Sequence, residues 1–207
     1  MIPSSPFLCV ITDESLCPVT IAELALKGGA AMIQLRHKSA CGSQLFSWAV
    51  EIHNQCQKYQ ALFIINDRVD IAMASGADGV HLGQQDMPAN VARKLLGKDR
   101  IIGVSASSLE EALQAEKDGA DYIGFGHIYP TISKEKGFPP LGTETLQHAA
   151  ATISLPVIAI GGVSLENAAT LISSGASGVA VISAVSRADD PSMAATELVA
   201  ALNRRNS

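Results

Sequence analysis

Gln34, Arg36 and Lys38 occupy alternate positions of Ile33-Gln-Leu-Arg-His-Lys38, so an extended chain sends an amide, a guanidinium and an ammonium the same way. A solvated edge gives the same row, and only its surroundings distinguish the two. Asn66-Asp67 and Gly83-Gln-Gln-Asp86 each end in a carboxylate after an apolar run. Such carboxylates can cap helices; as a magnesium pair they need a pyrophosphate to complete the octahedron. Ser105 closes another apolar run, and His127-Ile-Tyr-Pro-Thr131-Ile-Ser133-Lys134 follows a third. Gly161-Gly162 is a tight turn or, together with Ile182 and Ser183, a set of backbone donors for a phosphate.

Five histidines need separate readings. His53 and His148 lie in helical stretches and read as surface residues. His81 falls inside a strand, where a hydrogen-bonded structural role is expected. His37 alternates with its two basic neighbours and should point the other way. His127 starts a loop directly after a strand, where an imidazole could take and return a proton near neutral pH.

The elements that must position these groups follow one grammar. Gly28-Gly-Ala-Ala-Met-Ile-Gln-Leu, Gly76-Ala-Asp-Gly-Val-His-Leu-Gly, Gly119-Ala-Asp-Tyr-Ile-Gly-Phe-Gly and Gly175-Ala-Ser-Gly-Val-Ala-Val-Ile each close a helix on glycine and open a short apolar strand. Strands are predicted near 7–12, 31–36, 61–66, 78–82, 100–105, 121–126, 156–160 and 177–183. Helices are predicted near 18–28, 42–59, 68–75, 88–97, 108–118, 142–151, 164–174 and 188–203. Ser108 with Glu111 forms a capping box, and Ser164 with Asn167 a weaker helix start. Strands that are apolar throughout belong to a sheet covered on both faces. Eight such alternations define a single-domain (β/α)8 TIM barrel over residues 1–207, with its chemistry at the carboxyl ends of the strands. An open doubly wound sheet is the rival, but no G-x-G-x-x-G follows the first strand.

Composition narrows the partners. With 47% apolar and 17% charged residues and a net charge of -5, the chain is neither disordered nor a basic nucleic-acid binder. No apolar run reaches the roughly 20 residues of a membrane span. Residues 1–12 lack the pattern of a signal peptide, and the four cysteines show no metal-ligand spacing. A cytoplasmic protein with reduced thiols is expected, with no nucleic acid and no membrane among its partners; homo-oligomerisation is left open.

From Phe7 to about Leu202 the chain resembles the thiamine phosphate synthase superfamily. The carrying segments are Ile11-Thr12-Asp13, Ile33–Lys38, Ile65-Asn-Asp-Arg-Val-Asp-Ile-Ala72, Ala77–Asp86, Ile102-Gly-Val-Ser105, Tyr122–Lys134 and Ala159-Ile-Gly-Gly162. The resemblance implies that Gln34, Arg36, Lys38, Asn66, Ser105 and Lys134 hold a pyrimidine pyrophosphate, and that Asp67 and Asp86 hold Mg²⁺. It implies a thiazole phosphate at Gly161, Gly162, Ile182 and Ser183; Thr131 and Ser133, on the rim loop after the sixth strand, are expected to bind substrate as well. One departure redirects the expectation. The synthases usually read Gly-Pro-Ile-Tyr-Pro-Thr where this chain has Gly126-His127-Ile-Tyr-Pro-Thr131, and that histidine resembles the thiazole tautomerase branch. The loop Lys134–Gly142 resembles that branch as well. The first expectation is therefore an isomerase: His127 as acid–base, a phosphorylated dihydrothiazole as substrate, and no cofactor. A Mg²⁺-dependent thiamine phosphate synthase, a transferase, and a non-catalytic ligand-binding relative remain as alternatives.

Overall fold

A computed structural model describes residues 1–4, 6–131 and 137–203. Eight strands are present: β1 (Phe7–Ile11), β2 (Met32–Leu35), β3 (Leu62–Asn66), β4 (Gly79–Leu82), β5 (Ile101–Ala106), β6 (Tyr122–Gly126), β7 (Val157–Ile160) and β8 (Gly178–Val181). The first helices are α1 (Pro18–Lys27), α2 (Gly42–Tyr59), α3 (Val69–Ser75), α4 (Ala89–Leu96) and α5 (Leu109–Lys117). After them come α6 (Gly142–Thr152), α7 (Ala168–Ser173), α8 (Ser183–Ser186) and α9 (Pro191–Leu202). All neighbouring strands run parallel, and β1 pairs with β8 through Phe7↔Gly178 to Val10↔Val181, so the sheet closes into the expected (β/α)8 barrel.

The alternation within each strand separates two apolar compartments. Leu8, Val10, Ile33, Leu35, Val80, Leu82, Ile123 and Phe125 face outwards and pack under the helices. Phe7, Cys9, Ile11, Met32, Ile64, Ile101, Tyr122, Ile158 and Ala180 fill the lumen. The lumen is crowded, and glycine makes room in it: a methyl at Gly103 would fall on the Tyr122 ring, and one at Gly124 on His81. Continuing each inward row by two residues puts Gln34, Asn66, His81, Ser105 and Gly126 at the upper rim.

Local chemistry explains where predicted boundaries shift. Ser108 Oγ accepts from Glu111 N–H (3.2 Å) at the start of α5. Glu111 reaches one residue further back than a capping box requires, accepting from the N–H and hydroxyl of Ser107 (2.7 and 2.9 Å). The helix predicted from 164 begins only at Ala168, because Asn167 Oδ1 accepts from Ser164 N–H and its amide donates to Gly162 O (both 2.9 Å). The predicted strand 177–183 stops at Val181, and the chain turns at Ile182 (φ -113°, ψ -83°) into α8. The helix predicted over 188–203 starts at Pro191, where Asp190 caps it by accepting from Ser192 and Met193 N–H (both 3.0 Å).

Candidate active site

The loops at the carboxyl ends of the strands enclose a cavity of about 480 Å³. Gln34, Arg36, Lys38, Asn66, Asp86 and Ser105 line one side of it. His127, Thr131, Gly161, Gly162, Ile182 and Ser183 line the other. Asp67 lies against the first group without lining the cavity itself. Ser133 and Lys134 fall outside the described residues.

On the first side two basic residues face two carboxylates. The Arg36 backbone is clasped by Thr12 Oγ1, which accepts from its N–H and donates to its carbonyl (both 2.9 Å), and Arg36 Nη1 donates to Glu14 Oε1 at 2.7 Å. Lys38 Nζ stands 3.7 Å from Asp67 Oδ2. Asp67 adopts φ 63°, a left-handed conformation rare for a residue with a side chain, and its N–H donates to His81 O (2.8 Å). Burial is the main reason the Asp67 carboxyl titrates above its ordinary range; a hydrogen bond and charge from Asp86 add to it, while Lys38 and Arg36 oppose it. Asp86 Oδ2 accepts from Gly83 N–H (2.7 Å), which fixes the turn that brings it to Asp67.

Two such carboxylates attract a cation but cannot by themselves enclose one. Among the described residues no cluster of three or more His, Cys, Asp or Glu side chains could hold a metal. The pair therefore fits Mg²⁺ of the kind that keeps waters and takes its remaining ligands from a substrate phosphate.

Between the two sides a buried chain of polar groups runs down into the lumen. His81 Nε2 meets Ser105 Oγ, and its Nδ1 meets the Tyr122 hydroxyl, each at 2.9 Å. Gln84 Nε2 donates to Ser105 O (2.7 Å). Burial pushes the Tyr122 phenol well above its usual value and the Cys9 thiol up to about 12, so neither ionises in ordinary conditions. His81 has the hydrogen-bonded setting expected of it, although its ring also borders the cavity. His37 turns away and stacks on Trp48 with centroids 5.1 Å apart. His148 is exposed, whereas His53, read as a surface residue, is half-buried against Phe63 and bonded to Gln57 (2.9 Å).

On the far side, Gly161 and Gly162 have φ of 95° and 66° and let the chain pass close to the segment that leaves β6. A Cβ at Gly162 would stand 2.5 Å from Pro130 O, and one at Gly161 2.7 Å from His127 Cα. Tyr129 N–H donates to Gly161 O and Ile128 N–H to Ile160 O, both at 3.0 Å, extending the β6–β7 ladder into the rim. His127 is only 6% exposed, with its ring 5.0 Å from that of Phe138.

Some wall residues carried no clear signal in the sequence. Phe138 lines the cavity from a loop and Glu111 from the first turn of α5, and Gly124 and Ala180 deepen its floor by being small. Glu14 was missed too, although an acidic residue just past the carboxyl end of a strand is the type of signal that marked the others.

The fold and site together define a (β/α)8 barrel whose cavity, at the carboxyl ends of the strands, is bordered by basic side chains on one side and by a glycine turn on the other. The profile of the thiamine monophosphate synthase family matches residues 8–185, and the chain belongs to that family. It is 63% identical over 204 residues to a thiamine-phosphate synthase of Chlorobium limicola, covering 99% of this chain and 97% of that protein. It is 48% identical over 182 residues to one from Methanospirillum hungatei, covering 86% and 88%. Among solved structures, thiamine phosphate pyrophosphorylase from Pyrococcus furiosus superposes with a TM-score of 0.89 at 42% identity, covering 96% of each chain.

These relatives overturn the isomerase expectation. They are named as synthases, which are transferases, and they match nearly the whole chain, whereas the tautomerase reading rested on His127 and one loop. The acid–base role expected of His127 was argued only for that reaction. Physically, its backbone is fixed under the Gly161 turn and its ring packs on Phe138, the setting of a wall residue.

Proposed function

We propose that the protein is a thiamine-phosphate synthase, joining hydroxymethylpyrimidine pyrophosphate to thiazole phosphate. The C–O bond to pyrophosphate breaks, the thiazole nitrogen forms the new C–N bond, and pyrophosphate leaves. One observation carries this reading. The mouth has a cationic end with paired carboxylates and, across the same cavity, a glycine turn beside α8. A rearrangement of one phosphorylated ring has no use for the first end; a condensation of two phosphorylated substrates needs both.

In this reading Arg36, Lys38 and Asn66, with Lys134, bind the pyrophosphate, and Gln34 and Ser105 orient the pyrimidine side. Gly161, Gly162, Ile182 and Ser183, with Thr131 and Ser133, bind the thiazole phosphate, and His127 forms part of the adjoining wall. Holding both substrates in one cavity turns a bimolecular encounter into an oriented one. Asp67 and Asp86 would hold Mg²⁺, which when bound neutralises charge on the departing pyrophosphate. Arg36 and Lys38 add fixed positive charge at the same place, where it acts most strongly as the leaving group gains charge.

Incubation with both substrates and Mg²⁺ should yield thiamine phosphate and pyrophosphate in equal amounts. EDTA should stop the reaction and added Mg²⁺ restore it. Product no higher than in a protein-free control refutes the assignment.

A further inference from the structure

An arginine at the rim of an open cavity ordinarily samples many rotamers, and ordering it costs free energy when its ligand arrives. Arg36 is already ordered. Thr12 holds its backbone from both sides, Glu14 holds Nη1 at 2.7 Å, and its side chain is only 19% exposed. Lys38, the other cation at this end, is 53% exposed and lies 3.7 Å from Asp67, outside hydrogen-bond reach. The two cations therefore differ in kind: one is pre-aimed and the other is loose.

The loop that holds Arg36 is itself tied down. Asp13, 8% exposed, accepts from Ser15 N–H and Oγ through Oδ1 (3.0 and 2.7 Å) and from Arg187 Nε through Oδ2 (3.1 Å). Glu14 thus projects between two anchored neighbours, Asp13 and Ser15, so its carboxylate is placed by the loop. It does not line the cavity, so any influence on a ligand passes through Arg36. A guanidinium has five N–H donors in a rigid fork; Glu14 engages Nη1, and the rest of the fork can serve an anion.

We infer that Glu14 is a positioning residue that fixes the Arg36 guanidinium for a pyrophosphate in the mouth. The inference rests on the synthase reading in taking that anion as the ligand of Arg36. The alternative is a competitor: an extra negative charge that occupies Arg36 and must be displaced. The two roles predict opposite changes when the carboxylate is removed.

Calorimetric titration with inorganic pyrophosphate and Mg²⁺ separates them. Glu14→Ala should weaken binding about tenfold, the effect of releasing one long side chain. Glu14→Gln, which keeps an acceptor for Nη1 and drops the charge, should stay within about threefold of the parent. In an Arg36→Ala background, Glu14→Ala should add no further loss. In steady-state assays Glu14→Ala should raise the KM for the pyrimidine pyrophosphate about tenfold and leave that for thiazole phosphate unchanged. Equal or tighter pyrophosphate binding by Glu14→Ala overturns the inference, as does a loss that persists without Arg36. A rise in both KM values together also overturns it, because it marks collapse of the loop whose Asp13 reaches Arg187. If the parent binds pyrophosphate with these ratios but makes no thiamine phosphate, the synthase reading fails and Glu14 keeps its role. If the parent is an active synthase and the ratios are absent, the reverse holds.

Discussion

Adding a single methyl group at Gly161 tests how the far side of the mouth is built. The residue has φ 95°, and a left-handed backbone costs an alanine about 1–2 kcal/mol. The new Cβ would fall on His127, 2.7 Å from its Cα, and the obstacle is backbone rather than the end of a flexible side chain. The segment leaving β6 must therefore retreat, straining the Ile128–Ile160 and Tyr129–Gly161 hydrogen bonds, both 3.0 Å. Losing two such bonds costs about 1–3 kcal/mol, so Gly161→Ala should destabilise the fold by about 2–5 kcal/mol. At about 2–4 °C per kcal/mol for a chain of this size, that lowers the melting temperature by about 4–20 °C. Gly76→Ala is the control. Gly76 is also left-handed (φ 74°, ψ 14°) but closes α3 at the opposite end of the barrel, and its Cβ would meet only the His53 ring at 3.9 Å. It should bear the backbone cost alone and melt about 2–12 °C above Gly161→Ala in ligand-free thermal scans. The KM for thiazole phosphate should rise in Gly161→Ala and not in the control. Coincident melting curves would refute the steric argument, and an unchanged KM in Gly161→Ala would refute the placement of the phosphate.

The carboxylate pair and the α4–β5 corner supply two further tests. Asp67 has a raised folded-state pKa, so its contribution to stability is full below its ordinary value of 3.8 and is lost as pH rises through the folded value. Asp67→Asn, which tolerates the left-handed backbone, should therefore melt up to about 4 °C above the parent at pH 7, a gain of no more than about 1 kcal/mol. The gain should vanish near pH 3, while condensation at pH 7 falls at least about a hundredfold; a lower melting temperature at pH 7 contradicts the argument. Arg93 donates to the carbonyls of Gly97 (3.0 Å), Arg100 (2.6 Å) and Gly119 (2.9 Å) and to Asp121 Oδ2 (2.6 Å), gathering the ends of two helices and the starts of two strands. Arg93→Ala should cost about 2–4 kcal/mol by denaturant titration and leave kcat unchanged below the melting transition; a cost under about 0.5 kcal/mol would show that water replaces the clamp.

The barrel was legible because its strands are buried on both faces and several of its helices run into glycine, patterns that persist whatever the detail of packing. The same patterns say little where backbone geometry overrides composition. Val181-Ile182-Ser183 reads as more strand, yet the turn at Ile182 makes Ser183 the start of a helix. His53 lies on a helix face that reads as polar but packs against Phe63. The polar rim was readable residue by residue, since polar groups just past the ends of apolar strands must face the barrel mouth or solvent. His127 misled because residue type suggests proton transfer whether the ring is free to work or packed as a wall. Glu14 was passed over although it stands just past the carboxyl end of β1, and the left-handed turn at Asp67 follows a loop path that no periodicity encodes.

The pairing of β1 with β8 also bears on how the protein is made. Phe7–Val10 leave the ribosome well before their partners Gly178–Val181, with the other six strands translated in between. At about 5–20 residues per second, β1 waits roughly 10–30 s with one edge open. During that interval the growing chain is an incomplete curved sheet, with unpaired N–H and C=O groups on β1 and on whichever strand came last. Until β8 arrives that open edge can pair with another chain, so the nascent protein is exposed to aggregation in the interval. Translation speed over the stretch between β1 and β8 thus bears on yield, independent of how stable the finished fold is.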